Sequence, residues 1–276
     1  MGIWEAIAKS AILGTVQGLT EFLPVSSSGH LTLLQQLLKY DLGAGGMLFV
    51  NVLLHLGTLI AVVIVFWKDI LALFKKPYKN ILMLIAATIP AGLIGVLVGD
   101  KIDALFDPAS NAAWLCWLAV FFVITAFLLL AAELVSRRQK GAQKLSYKHA
   151  FCMGSMQAVA LFPGISRSGS TIAAGVFSGA KREEVAKFSF LMSIPVILGS
   201  LLLEIVSLAT ERGAGAAFGA GEIAGMITGV VFSAVSGFFA IKVMLKVIGK
   251  ANYKWFSLYL ILLSFVCFWL NVLGVL

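Results

Sequence analysis

The chain has 276 residues, 60% of them hydrophobic and 12% charged, with a net charge of +8 and a mean hydropathy of +0.99. Soluble domains are about 25% charged, so this composition excludes an ordinary soluble domain and predicts an integral membrane protein with several helical spans. In such a protein a positive net charge indicates topology, and we expect the lipid bilayer, and no nucleic acid, as a partner.

Eight apolar regions follow one another along the chain. Six of them have the length of about 20 residues that a helix needs to cross a hydrocarbon core of ~30 Å. We place these spans at 46–67, 80–99, 111–133, 185–208, 221–241 and 254–275. The other two regions, 10–38 and 149–180, are interrupted by proline, glycine and clustered serines, which predicts two helices and a loop in each.

Basic residues flank the second interrupted region on both sides, at 137–148 and at 181–187. A single crossing would place one of these clusters on the wrong side of the membrane, so the pattern favours a re-entrant helix–loop–helix hairpin. With both termini outside, the cytoplasmic loops carry 16 of the 21 Lys and Arg residues, as the positive-inside rule requires. These predicted loops are 68–79, 134–150, 180–187 and 242–254.

The two interrupted regions also resemble each other. A shift of 140 residues aligns "GTVQGLTEFLPVSSSGH", which starts at Gly14, with "GSMQAVALFPGISRSGS", which starts at Gly154. Three predicted spans follow each segment. Because three is an odd number of membrane crossings, the second copy has the opposite orientation in the membrane. We therefore predict one membrane domain over 1–276, built as an inverted repeat with halves at about 1–135 and 141–276.

Arg167 stands between two serines in an otherwise apolar segment, where a charge costs ~2.5–3.5 kcal/mol to insert. One interpretation is a structural ion pair with Glu21. The other is anion recognition, because a guanidinium grips phosphate with two hydrogen bonds and the neighbouring hydroxyls and helix N-terminal amides add donors. This second interpretation predicts a phosphate site made by Ser166, Arg167, Ser168, Gly169 and Thr171, with Ser26 and Ser28 from the first loop.

Gln17 and Glu21 are four residues apart and share one helical face. Their oxygens suit a hard cation such as Mg²⁺ or Ca²⁺, although a polar contact between helices would also explain them. His30 follows three serines and could act as a general base or as a nucleophile. For His55, which has no such neighbours in sequence, we expect a core or supporting role.

Two segments resemble the signature motifs of the bacterial undecaprenyl-diphosphate phosphatase family, also called bacitracin-resistance proteins: "QGLTEFLPVSSSGHL" at 17–31 and "PGISRSGSTIAAG" at 163–175. The resemblance covers essentially the full length. It implies a multi-pass enzyme of the bacterial inner membrane that hydrolyses undecaprenyl diphosphate to undecaprenyl phosphate and phosphate, recycling the lipid carrier for peptidoglycan and other envelope glycans.

The resemblance also implies roles for particular residues. Glu21 helps to hold a divalent cation, Arg167 binds the diphosphate with Ser166 and Ser168, and His30 with Ser27 performs or assists the attack. The family often has glutamate at position 17, so Gln17 leaves Glu21 as the only firm carboxylate ligand. The catalytic set predicted in this way is Glu21, Ser27, His30 and Arg167.

Several alternatives stay open at the level of sequence. The attacking group is Ser27, His30 or a metal-bound water, and a homodimer is compatible with the sequence. The same scaffold could instead transport polyprenyl phosphate without hydrolysis. A phosphatidic-acid-type phosphatase is disfavoured, because its motif continues with histidine and aspartate where this chain reads "SGSTIAAG". The family resemblance favours an active site that opens to the outer, periplasmic side.

Overall fold

A computed structural model describes residues 2–40, 42, 44–107, 111–139, 141–211, 218–247 and 252–276. This part of the chain is all-helical, as predicted, with no β-strand in it. Its eleven α-helices are α1 Ile3–Phe22, α2 Ser27–Leu37, α3 Ala44–Val65, α4 Trp67–Leu73, α5 Lys79–Phe106, α6 Trp114–Arg138, α7 Tyr147–Val159, α8 Arg167–Phe177, α9 Arg182–Glu211, α10 Ala220–Val247 and α11 Lys254–Val272. Of the predicted cytoplasmic loops, Lys140 and residues 248–251 lie outside the described residues.

Six of the described helices are long and apolar enough to cross a membrane: α3, α5, α6, α9, α10 and α11. They coincide with the six predicted spans, so the prediction of a multi-pass membrane protein is confirmed. Large apolar side chains such as Leu97, Phe127 and Phe239 remain exposed on these helices. In water such a surface would be a liability, whereas hydrocarbon solvates it.

The two interrupted regions each form two helices joined by a short loop. The first pair is α1 and α2, with residues 23–26 between them, and the second is α7 and α8, with residues 160–166 between them. Ser26 ends the first loop with a φ of 68°, a left-handed conformation that is uncommon outside glycine. The loops end close to the positions that the proline and serine clusters predict.

Helix α1 packs along α10, and α7 packs along α5. Both pairs depend on a glycine, because a Cβ atom on Gly14 would collide with the backbone carbonyl of Gly229, and one on Gly154 would collide with that of Ala87. Small residues allow this close approach of helix backbones, which is the usual basis of helix association in membranes.

A buried carboxylate joins three helices at one end of the bundle. Glu133 of α6 accepts hydrogen bonds from Arg137 Nε at 2.7 Å, from Arg182 Nη2 at 2.6 Å and from the backbone N–H of Tyr253 at 3.1 Å. The Arg182 guanidinium also lies 4.5 Å from the centre of the Tyr253 ring, and burial raises the pKa of Tyr253 to about 12. These contacts tie the starts of α9 and α11 to the end of α6.

Candidate active site

The loops of the two helix pairs meet in the interior. The backbone N–H of Gly164 donates to Ser26 Oγ at 3.1 Å, and Ser168 Oγ donates to the carbonyl oxygen of Leu23 at 3.0 Å. Gly164 has a φ of 93°, a conformation that glycine adopts without strain. Residues about 140 positions apart in sequence are therefore brought side by side, and the polar clusters of both motifs become one site.

Glu21 lies at the centre of this site and is 6% exposed. Its Oε1 atom accepts a hydrogen bond from Arg167 Nη2 at 2.6 Å. Its Oε2 atom accepts one from Ser27 Oγ at 2.6 Å and one from Gln17 Nε2 at 3.1 Å, and His55 Nε2 lies 3.7 Å from the same oxygen. The carboxylate thus orients Arg167 and Ser27 together, since a buried charge is stable only with such partners.

Arg167 is the first residue of α8, so the start of a helix lies at the predicted phosphate site. Besides its ion pair with Glu21, its Nη1 atom donates to the carbonyl oxygen of Ser189 at 3.1 Å. The predicted structural pairing of Arg167 with Glu21 is therefore present. It does not exclude anion recognition, because the guanidinium has five N–H donors and its side chain borders open space.

That open space is a cavity of about 280 Å³. The lining residues that come from the first helix pair and α3 are mostly polar. Those that come from α5, α7, α9 and the second loop are mostly apolar, and Arg167 comes from the start of α8. The residues that line the cavity are Glu21, Ser26, Ser27, Ser28, Asn51, Val52, His55, Ala91, Gln157, Ala160, Leu161, Ile165, Arg167, Val196, Ile197, Ser200 and Leu201.

His30 is buried beside this cavity but is not among its lining residues. Its Nδ1 lies 2.7 Å from the carbonyl oxygen of Ser26, and its Nε2 lies 2.6 Å from the hydroxyl of Tyr259. A carbonyl only accepts, so a neutral His30 carries its proton on Nδ1 and receives the Tyr259 hydroxyl at Nε2. The hydroxyl of Ser27 is held by Glu21 instead, so the pairing of His30 with Ser27 stays a prediction.

The other predicted phosphate ligands of the second loop have hydrogen bonds within the protein. Ser166 caps α8 by accepting from the N–H of Gly169 at 3.1 Å, and its Oγ lies 3.2 Å from that of Ser168. Thr171 Oγ1 donates to the Arg167 carbonyl at 2.8 Å and contacts Ser189 Oγ at 2.6 Å. In the structure these residues fix the position of Arg167 and do not line the cavity.

Three cavity residues were missed or underrated by the sequence reasoning. His55 and Asn51 come from α3, and His55 Nδ1 lies 2.7 Å from the Asn51 carbonyl, so the other ring nitrogen faces Glu21. No local motif indicates either residue. Gln157 of α7 is the third, and here a signal was available, because the repeat aligns it with Gln17.

The implied divalent cation fits the oxygen donors around Glu21. The Oε1 atom of Gln17 is buried and accepts no hydrogen bond within the described residues. A carboxylate, an amide oxygen and the Ser27 hydroxyl are hard ligands of the kind that Mg²⁺ and Ca²⁺ bind. No group of three or more His, Cys, Asp or Glu side chains that could hold a metal occurs in the described ranges. Substrate phosphate and water would have to supply the remaining ligands.

The fold and the cavity define a multi-pass membrane protein with a buried polar site. Comparison with known proteins shows the family: residues 10–266 match the family described as bacitracin resistance protein BacA, and the chain belongs to that family.

Curated relatives match over nearly their whole length. A protein of Carboxydothermus hydrogenoformans is 40% identical over 267 residues, which cover 96% of this chain and 98% of the relative. One of Thermotoga maritima is 39% identical and covers 93% of this chain and 98% of the relative, and one of Methanosphaera stadtmanae is 35% identical and covers 96% and 98%. Each of these relatives is named undecaprenyl-diphosphatase.

Proposed function

We propose that this protein is an undecaprenyl-diphosphate phosphatase, which hydrolyses undecaprenyl diphosphate to undecaprenyl phosphate and inorganic phosphate. The observation that carries the proposal is the convergence of Glu21, Ser27 and Arg167 on one buried cavity in a chain whose relatives are named for this reaction. The product would return to the lipid carrier pool for peptidoglycan and other envelope glycans, and bacitracin resistance follows from the same activity.

The cavity residues suit a diphosphate in a lipid environment. Arg167 supplies a fixed positive charge with several N–H donors, and it stabilises the charge that develops on a transferring phosphoryl group. The apolar lining residues from α5, α9 and the second loop suit the start of a polyprenyl chain. A substrate phosphate would compete with Glu21 for Arg167, so binding exchanges one anionic partner of the guanidinium for another.

The attack can be written for Ser27. Its Oγ forms a bond to the terminal phosphorus while the bond from that phosphorus to the bridging oxygen breaks, and undecaprenyl phosphate leaves. Water then hydrolyses the phosphoserine and releases phosphate. In the structure the Ser27 hydroxyl donates its hydrogen bond to Glu21 Oε2, so this carboxylate is placed to accept the proton. His30 could accept it only after giving up its contact with Tyr259.

We also propose that Glu21 and Gln17 hold a divalent cation, Mg²⁺ or Ca²⁺, together with the substrate. Such an ion would neutralise phosphate charge as the leaving group departs. The Oε1 atom of Gln17, which has no hydrogen-bond partner among the residues that the structure describes, lies beside Glu21 and supports this assignment.

The inverted repeat with two re-entrant hairpins is the architecture that best accounts for the packing. In the proposed repeat α1 corresponds to α7, and α10 corresponds to α5. The packing of α1 on α10 therefore has an equivalent in the packing of α7 on α5, and both contacts exist. The glycines at these two crossings, Gly14 and Gly154, are the first residues of the aligned segments. These correspondences support the repeat independently of the motif identities.

The proposed orientation places both termini outside the inner membrane. Its support is that contacts at one end of the bundle join all four predicted cytoplasmic loops. Lys187 pairs with Asp69 at 2.6 Å, and the Glu133 contacts connect 134–150, 180–187 and 242–254. The α3 and α9 residues that line the cavity lie from the middle of each helix into the half away from these loops, which favours opening to the outer side. A homodimer stays a prediction.

A polyprenyl-phosphate transporter is the second candidate, because broken helices related by an inverted repeat are typical of transporters. The test is phosphate release from undecaprenyl diphosphate by the purified protein in detergent. We expect release by the wild type, none by Glu21→Gln, and wild-type release by Glu5→Gln, the same change at the exposed start of α1. No release by the wild type, together with lipid transfer across vesicle membranes that survives Glu21→Gln, would favour the transporter.

A further inference from the structure

Gln157 has an unusual environment for an amide. Its residue surface is 2% exposed, and neither its Nε2 nor its Oε1 atom has a hydrogen-bond partner in the part of the chain that the structure describes. Burying an amide without partners costs folding free energy. Native proteins retain such groups at sites where a ligand or a bound water completes them.

The location of Gln157 indicates what that ligand is. It lines the same cavity as Glu21, Ser27 and Arg167, but it comes from α7, whose neighbours in the lining are Ala160 and Leu161. Gln157 is therefore a neutral hydrogen-bonding group in the mostly apolar part of the lining, whereas Glu21 and Arg167 are charged. The aligned residue of the first segment, Gln17, instead donates a hydrogen bond from its Nε2 to Glu21 Oε2.

This arrangement matches the two phosphates of a polyprenyl diphosphate, so the inference rests on the proposed function. The terminal phosphate carries the greater charge and suits Arg167. The inner phosphate carries a single negative charge and bears the lipid, so a neutral donor among apolar lining residues suits it. We infer that Gln157 is a substrate-binding residue whose amide donates a hydrogen bond to the phosphate that stays on the lipid.

The test uses Gln157→Met, because methionine is unbranched, similar in length and apolar. The substitution fills the same space without an amide. It therefore removes the proposed hydrogen bond to substrate, and it also removes the folding cost of burying an amide that lacks a partner. With farnesyl diphosphate as substrate we expect KM to rise about tenfold and kcat to change less than twofold, as for the loss of uniform binding. The thermal unfolding midpoint should stay equal or rise.

Product inhibition separates the two phosphate positions. The inhibition constant of farnesyl phosphate should rise by the same factor as KM, and that of inorganic phosphate should not change. Gln139→Met, the same change in a residue that does not line the cavity, should alter none of these quantities.

An unchanged KM would overturn the inference. With an unchanged unfolding midpoint it would mean that a bound water completes the amide, and with a lower midpoint and kcat it would show a structural role. Weaker inhibition by inorganic phosphate alone would also overturn it, because that result would place Gln157 on the terminal phosphate.

If the wild type hydrolyses neither undecaprenyl diphosphate nor farnesyl diphosphate, the proposed function fails separately. Stabilisation of the wild type and of Gln157→Met by farnesyl phosphate alone then still measures whether Gln157 binds a lipid phosphate. A larger stabilisation of the wild type would support the inference, and equal stabilisation would overturn it.

Discussion

Arg167 Nη2 lies 2.6 Å from Glu21 Oε1, although 146 residues separate them in sequence. This ion pair joins the start of α8 to the end of α1, and it holds the two motifs against each other in the interior. Each partner is the charge that makes burial of the other tolerable. The pair is therefore both a structural contact between the halves of the chain and the charged centre of the candidate active site.

Arg167 is expected to be required for phosphate release. Arg167→Ala removes the fixed positive charge and should lower kcat/KM about a hundredfold to a thousandfold, the range seen for loss of a charge-stabilising donor. Arg167→Lys keeps the positive charge but loses the planar guanidinium that can donate two parallel hydrogen bonds. Its kcat/KM should therefore lie between that of the wild type and that of Arg167→Ala. The measurement is phosphate release in detergent, and Arg138→Ala, at an exposed arginine, is the control. Equal activity of the alanine variant and the wild type would contradict the assignment.

Ser27 is predicted to become phosphorylated during turnover. Substrate labelled at the terminal phosphate should leave acid-stable label on the wild type in a rapid quench, and Ser27→Ala should abolish both the label and phosphate release. The Ser155 hydroxyl donates to the Phe151 carbonyl of its own helix and does not line the cavity, so Ser155→Ala should retain both. Full activity of Ser27→Ala would exclude this nucleophile, and release without label on the wild type would favour a water nucleophile.

Removal of divalent cations should stop the reaction if Glu21 and Gln17 hold a metal. We expect phosphate release to fall to the background level after dialysis against a chelator and to recover when Mg²⁺ or Ca²⁺ is added back. Gln17→Glu adds a second carboxylate to the site and should lower the cation concentration needed for half-maximal activity. Activity that persists in the chelated protein would refute the metal assignment.

Two glycine positions should be intolerant of even one methyl group. Gly14→Ala and Gly154→Ala place a Cβ against the backbone of α10 and α5, and each should lower stability by about 1–3 kcal/mol through overpacking. The unfolding midpoint in detergent measures this effect. Gly92→Ala is the control, because a Cβ there meets open space and alanine favours a helix by about 1 kcal/mol over glycine. Equal midpoints for all three variants would contradict the predicted close packing.

Glu133 is predicted to matter for stability and not for chemistry. Glu133→Ala removes the acceptor of Arg137, Arg182 and the Tyr253 N–H, and loss of one partner of a buried ion pair costs about 3 kcal/mol or more. The unfolding midpoint should fall by several degrees, while kcat at low temperature stays near that of the wild type. Glu183→Ala removes an exposed carboxylate on α9 and should leave both quantities unchanged. A loss of kcat without a loss of stability would contradict this role.

The architecture could largely be predicted from the sequence because membrane spans are encoded locally. Length and hydropathy alone determine a span such as α5 or α11, and the proline and serine clusters mark where α1 and α7 end. Glu21, Ser27 and Arg167 were also predictable as site residues, because polar groups in an apolar segment need a reason to be there.

The remaining parts of the site depend on contacts that no local pattern encodes. His30 meets Tyr259 across 229 residues, so the partner of its ring could not be inferred from the first motif. His55 looks like an isolated histidine in a span, and only the packing of α3 brings it to 3.7 Å from Glu21. Sequence reasoning assigned the hydroxyls of Ser166 and Thr171 as phosphate ligands. It could not show their helix-capping and interhelical hydrogen bonds, because the fold defines those partners.

The central claim is that both motifs act on one substrate phosphate, and a double-mutant cycle tests it most directly. Phosphate release is measured for the wild type, Glu21→Gln, Arg167→Ala and the double variant, with long incubations to quantify residual rates. The account predicts that the double variant is no slower than the slower single variant, because groups that act as one unit are strongly non-additive. Rate losses that multiply, as they do for independent sites, would contradict the account.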